Sequence, residues 1–392
     1  MSLRALTAEP YRILLTFGTL QLLATLGVWS LELIDRRYGP WLPMASGVTP
    51  GNVHGLLMLY GVFPFFIFGF LMTTYPRWLD APALRPIQYL PAALLLGAGA
   101  LLLYGGLYVR TSLLAVGVLT LFGGYLWAWW GLWQTQAYGR IRGRWYERYL
   151  NIALALGAGG IVLLLAALQG HPQLWPVLRS LGLWGFLIPI LVTMSHRMLP
   201  FLTSCVAGTD PVDQPRGGLH VMLVLVVLHG LLELAGQLRW LWLVDLPLAL
   251  IAAYHLYCWA FARCLRNRLL AMFHVSFAWF VIAMLFYGAS SLQWFLGRPD
   301  GLVRAPLHAL GIGFALGMTM AMGARIARVH IGLAPVATAP VWAAFWTLNL
   351  AALLRILAEI FPQAGLSPWA GVLLVMALLA WAVHGLPLLL KR

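Results

Sequence analysis

Long apolar runs alternate with short polar ones from one end of the chain to the other. A helix needs about 20 apolar residues to cross a bilayer. On that measure the pattern predicts twelve spans: 11–34, 52–74, 88–108, 112–135, 148–168, 176–200, 218–236, 239–262, 269–292, 304–325, 339–361 and 367–388. The intervening stretches are short and carry Arg, Gly, Pro and Asp, so no separate soluble domain is expected. Residues 1–392 read as a single transmembrane domain. The fold class is all-α, a polytopic membrane helix bundle of about twelve spans, because in lipid every backbone N–H and C=O must find an internal partner.

The tenth run stands out. From Pro306 to Arg325 it opens with His308, closes with Arg325, and is followed by His330. Ala305, Ala309, Gly313, Gly317 and Ala321 recur every four residues and therefore share one helix face. Such a face lets a neighbouring helix or a flat ligand approach the backbone. His308 lies beside the stripe, toward Gly311, Ala315 and Thr319. The sequence predicts that the bundle is organised around this helix and a metal that it holds.

Composition reinforces the membrane reading. Of 392 residues, 62% are hydrophobic and 9% charged, which excludes a soluble domain of this length. The net charge of +14 would suggest nucleic acid in a soluble protein. Here the basic residues, all arginine except Lys391, punctuate apolar runs and set topology, and no nucleic-acid partner is expected. With the N-terminus inside, only Arg36, Arg37, Arg110, Arg179, Arg239, Arg298 and Arg304 fall in outer segments. The clusters Arg140–Arg144, Arg263–Arg268 and Arg325–Arg328 fall in inner ones. The positive-inside rule then places both termini in the cytoplasm. Membrane lipid is the surrounding partner, and Trp127, Trp129, Trp130 and Trp133 read as interfacial anchors. The segment 209–215 is a turn-rich loop. The N-terminal run is too long for a signal-peptide core and reads as a retained first span. Cys205, Cys258 and Cys264 have no paired spacing, and no Cys-x-x-Cys-His is present, so any haem is held non-covalently.

Ten histidines can be sorted by depth. His54, His308 and His229 fall toward the outer face. His196, His274 and His330 fall toward the inner one. His308 and His330 are about 33 Å apart along a helix at 1.5 Å per residue. Metal–imidazole bonds are about 2 Å, so the two sets imply two sites. For the outer set, His54 and His308 are candidate axial ligands of a haem iron, since neutral imidazole ligates iron without a buried charge. The alternative is a hydrogen bond at the start of each helix. His229 and Glu233 share a face of span seven. They read as part of an outer non-haem metal site, with Glu233 as a proton carrier, or as a structural pair. His196, His274 and His330 are candidates for an inner site holding copper, or for the end of a proton path. His196 with Arg197 could equally cap span six. Arg355 and Glu359 read as a self-neutralising i,i+4 pair.

Several motifs together resemble the NnrS family of membrane proteins. They are His54-Gly-Leu-Leu-Met-Leu-Tyr-Gly61 running into Gly69-Phe-Leu-Met-Thr-Thr-Tyr-Pro-Arg-Trp78, then Phe273-His-Val-Ser-Phe-Ala-Trp279, Leu307-His-Ala-Leu-Gly-Ile-Gly313, Met318-Thr-Met-Ala321, Arg325 and His330. His196-Arg-Met-Leu-Pro-Phe201 is a weaker match. The resemblance implies a multi-pass protein of the bacterial inner membrane, linked to nitric oxide in denitrification or nitrosative stress. It implies haem b, with copper or non-haem iron as a second metal. The family's His-x-His-Glu run at span two is only partly kept, because Leu56 and Leu57 stand where the second histidine and the acid would be. The chain is also distantly similar to subunit I of haem-copper oxidases, in which haem-ligating histidines lie on spans two and ten. The copper histidine pair of that family is absent from span seven, which has His229 alone. Nitric oxide is thus the expected small-molecule ligand, bound, sensed or reduced. The electron donor, the oligomeric state and whether the protein is an oxidoreductase stay open. A secondary transporter without cofactor and a non-catalytic haem- or metal-handling protein are the rival readings. No matched pair of Gly/Pro-broken segments supports the transporter, although Pro64, Pro189 and Pro247 interrupt spans.

Overall fold

A computed structural model describes residues 3–39, 44, 46–141, 145–207, 214–215, 217–298, 301–302 and 304–391. Arg142, Arg144, Arg216, Arg392 and most of the loop 209–215 lie outside the described residues. Twelve principal helices follow one another: α1 Pro10–Tyr38, α2 Pro50–Leu79, α3 Pro86–Tyr108, α4 Ser112–Tyr138, α5 Trp145–Leu168, α6 Pro172–Cys205, α7 Gly218–Leu234, α8 Trp242–Cys258, α9 Arg268–Phe295, α10 Ala305–Val329, α11 Ala339–Ile360 and α12 Ser367–Leu389. There is no strand among the described residues. Ten of the helices are long and apolar enough to cross a membrane. The exceptions, α7 and α8, are apolar but have 17 residues each, about 25 Å at the helical rise. The chain has the fold of an all-α polytopic membrane protein.

Local sequence explains where the helices begin. Pro10, Pro50, Pro86, Pro172, Pro306 and Pro340 occupy first-turn positions, where a backbone N–H would have no helical partner anyway. Asn267 caps α9 by accepting from the N–H groups of Leu269 and Leu270. Three helices contain a π-helical stretch: Leu57–Val62 in α2, Leu181–Leu187 in α6 and Ala309–Leu316 in α10. Such stretches are rare and concentrate at functional sites. Two of the three follow closely on His54 and His308.

The chain divides into two compact units, Met1–Leu187 with Leu386–Arg392, and Ile188–Gly385. In the first, α3 and α4 pack backbone to backbone. A Cβ at Gly99 would lie 2.6 Å from Leu121 N, and one at Gly124 2.7 Å from Leu96 N. Small residues permit this approach in lipid, where helix association relies on close packing. Tyr125 donates its hydroxyl to Leu154 O at 2.8 Å, tying α4 to α5. The Arg12 guanidinium, 7% exposed, donates to the carbonyls of Ala5, Leu389 and Lys391, near the two ends of the chain.

In the second unit α9 is the hub, packing against α6, α8, α10 and α11. The small-residue stripe of α10 faces it. A Cβ at Gly313 would sit 2.4 Å from Trp279 Cγ, and one at Gly317 2.5 Å from Ser276 Oγ. Trp279 is held by its indole N–H donating to Asn349 Oδ1 of α11 at 2.7 Å. The stripe therefore receives a helix rather than a flat ligand. The expectation that α10 is the organising element is corrected here in favour of α9, whose bulky side chains fill the space the glycines leave.

Candidate functional site

His54 belongs to the first unit and His308 to the second, and each has a defined setting. His54, half-buried near the start of α2, stacks on Trp29 of α1 with ring centroids 4.3 Å apart and planes 13° from parallel. The Arg36 guanidinium lies over Trp29 at 5.2 Å and pairs with Glu32 at 3.0 Å. On the helix bearing His54, a Cβ added at Gly51 or Gly55 would meet no atom within 4 Å. His308, also half-buried, donates from Nδ1 to the Arg304 carbonyl at 2.8 Å. The neutral ring then has its lone pair on Nε2, the arrangement that second-shell bonds impose on metal-binding imidazoles. Gly311, one turn on, also borders open space.

The α7–α8 hairpin carries a buried histidine site at each end. At one end His229 Nδ1 and Asp245 Oδ1 are 2.6 Å apart, and both side chains are wholly buried. Tyr287 of α9 meets the His229 ring edge-to-face at 5.0 Å. Asp245 thus supplies the close carboxylate that sequence reading assigned to Glu233, which is exposed at the end of α7. A side chain on a neighbouring helix reaches the imidazole more directly than one on the same helix face.

At the other end, His196 of α6 and His255 of α8 face one another with centroids 5.4 Å apart, both buried, with Trp259 against both. Gln214 reaches the ring nitrogen Nδ1 of His196 at 3.1 Å and donates to its carbonyl at 2.9 Å. His255 Nδ1 donates to Ile251 O at 2.7 Å, leaving its lone pair on Nε2. A Cβ at Gly218 would fall 2.2 Å from that nitrogen, so only glycine fits at the start of α7. His274, fully buried on α9, meets Thr203 at 3.1 Å, and Thr203 lies 3.5 Å from the Cys264 sulfur. His330 is half-buried at the end of α10. Of the expected inner set, only His196 belongs to this buried aromatic cluster with His255 and Trp259, while His274 and His330 have separate settings. Among the described residues, no group of three or more His, Cys, Asp or Glu is arranged to hold a metal ion.

Sequence reading missed Asp245 and His255. The signal for Asp245 was present: it is the one acidic residue in the predicted span eight, and an intramembrane carboxylate is functional by default. His255 carried the same signal, a histidine inside predicted span eight, but not its partner, because it faces His196 across two helices.

Ten membrane-length apolar helices among the described residues define a polytopic membrane protein, in which His196, His229, His255 and His274 are buried. The chain belongs to the NnrS family, whose model, described as NnrS protein, matches residues 5–392. No curated protein matches the chain.

Proposed function

We propose that this protein binds haem b non-covalently in the bacterial inner membrane, with His54 and His308 as axial iron ligands, and that it binds or reduces nitric oxide. The observation that carries the reading is the His308 ring. Its Nδ1–H is committed to a backbone carbonyl, which orients Nε2 as a donor toward iron. A Cβ at Gly51, Gly55 or Gly311 would meet no atom within 4 Å, so the helix faces beside both histidines are uncrowded. Bound haem would supply an iron centre for nitric oxide and a route for electrons. Trp29 and the Arg304 carbonyl hold the two imidazoles in orientation, and Glu233 is placed to exchange protons at an exposed position. A second metal, copper or non-haem iron, would draw on His229 and Glu233 at the outer site or on His196, His274 and His330 at the inner one.

The topology that accompanies this reading has twelve crossings and both termini in the cytoplasm. Three observations support it: α7 and α8 form a buried-histidine hairpin, arginines are concentrated in the inner segments, and one guanidinium reaches carbonyls near both chain ends. An even number of crossings follows from both ends lying on one face.

Haem stoichiometry and the absorption spectrum of the purified protein test the proposal. A Soret band is expected in the wild type, with haem content falling severalfold in His54→Ala and in His308→Ala. A wild-type protein that folds but takes up no haem when reconstituted would favour the transporter reading instead.

A further inference from the structure

We propose that the outward strip of α4, at the end where α2 finishes and α3 and α5 begin, binds an anionic phospholipid, with Arg85, Arg140 and Arg148 around its phosphate. All of these elements belong to the first compact unit. Hydrogen bonds fix the three arginines around one helix end. Gln88 accepts from the Arg85 N–H at 2.7 Å and donates to Gln134 at 2.7 Å, which holds the start of α3 against the last turns of α4. The N–H groups of Arg140 and Ile141 both donate to Leu79 O, at 2.9 and 3.2 Å, so the chain leaving α4 is strapped to the end of α2. Asn151 accepts from the Trp129 indole at 3.0 Å and donates to Gln136 at 2.8 Å, which pins the first turns of α5 to α4. Arg148 stands one turn before Asn151 on α5. Three cations from separate stretches of chain are thereby gathered by backbone and amide bonds.

Between α3 and α5, α4 turns Leu119, Leu126, Trp130 and Trp133 outward, and their spacing puts them on one face. Trp133, nearest the arginines, is 61% exposed. Trp127 closes the α3 side of the strip: its indole N–H donates to Ile87 O at 2.9 Å, and its ring meets Trp130 edge-to-face at 5.5 Å. An apolar strip that ends in indoles suits acyl chains along its length and a headgroup at its end, since Trp settles at the membrane–water interface. Arg85, Arg140 and Arg148 are all exposed there, and the guanidinium fork matches phosphate oxygens. Arg140 reaches Asp80 only loosely, at 3.7 Å with both side chains more than half exposed, and a surface pair of that kind contributes little. Glu147, beside Arg148 in sequence, is buried and presents no competing charge to a headgroup. Charge and shape together select one occupant. A free phosphate would use the arginines and leave the strip idle. A zwitterionic lipid would use the strip and set its own cation against the arginines. An anionic phospholipid uses both.

Native mass spectrometry of the full-length protein, delipidated in detergent and titrated with phosphatidylglycerol or phosphatidylcholine, reads the site directly. Phosphatidylglycerol is expected to bind severalfold more tightly than phosphatidylcholine. That preference is expected to fall severalfold in the double variant Arg85→Gln/Arg148→Gln and to survive in Arg263→Gln/Arg266→Gln, which removes the same charge from exposed positions of the second unit. Should the first double variant fail to fold, Arg140→Gln serves instead, since that residue is exposed and lies outside any helix. Trp133→Ala is expected to weaken both lipids and to keep the preference. Equal affinity of the wild type for the two lipids overturns the site, as does an equal loss in the two double variants. Displacement of the lipid by inorganic phosphate at matched concentration overturns it too, because the strip would then add nothing.

Discussion

Trp29 sets how far the His54 ring can turn, because two nearly parallel rings at 4.3 Å leave little room for rotation. Aromatic stacking is worth about 0.5–1.5 kcal/mol beyond buried area, or up to about tenfold in an equilibrium constant. If haem is bound as proposed, Trp29→Ala is expected to speed its dissociation by up to that factor and to alter the Soret band, while Trp29→Phe retains most of the wild-type behaviour. Competition with apo-myoglobin gives the rate. The cysteines differ in the same local way. Burial pushes the Cys264 thiol up, so thiolate is scarce there, whereas Cys205 is exposed. Maleimide at neutral pH is expected to label Cys205 readily and Cys264 only after denaturation, as peptide mapping would show. At this scale the sequence exposed residue types but not their partners. His229 was legible as an intramembrane imidazole. That its carboxylate would be Asp245 and not Glu233 depended on the turn joining α7 to α8, which no periodicity encodes.

Glycines in the helices show the difference between packed and open faces. Gly313→Ala would drive a methyl group into the Trp279 ring, which its bond to Asn349 prevents from retreating. Overpacking of this kind costs about 1–3 kcal/mol, and a lower Tm is expected in a thermal melt of the purified protein. Gly311→Ala meets nothing within 4 Å, so the helix propensity gain of up to about 1 kcal/mol leaves Tm level or raised. If that open space takes haem, the same variant loses haem without losing stability. A matched drop in both would show the space to be structural. The four-residue stripe on α10 was visible in the sequence, since it needs only helix geometry. Its occupant was not, because Trp279 is distant in sequence. The π-helical stretches were equally hidden, as an i→i+5 bond reflects tertiary packing rather than residue type.

Among the described residues, hydropathy located ten membrane-length helices and two shorter apolar ones to within about five residues, because backbone satisfaction in lipid leaves few alternatives. It overran α8, which stops at Cys258 before Ala260 takes a positive φ of 57°. The division into two compact units had no counterpart in the hydropathy pattern, since both are equally apolar. Reporter fusions after residues 139 and 391 are expected to be active only as cytoplasmic fusions. A periplasmic signal at either would require a different number of crossings or the reverse orientation.

The buried Arg12 has a bearing on how the protein is made. Its acceptors, the carbonyls of Leu389 and Lys391, lie 377 and 379 residues further along the chain, and these belong to a unit whose other members end at Leu187. This cation, carried by the first helix, therefore finds these neighbours only once the twelfth helix has been made. Early truncation leaves a desolvated charge that membrane quality control can recognise.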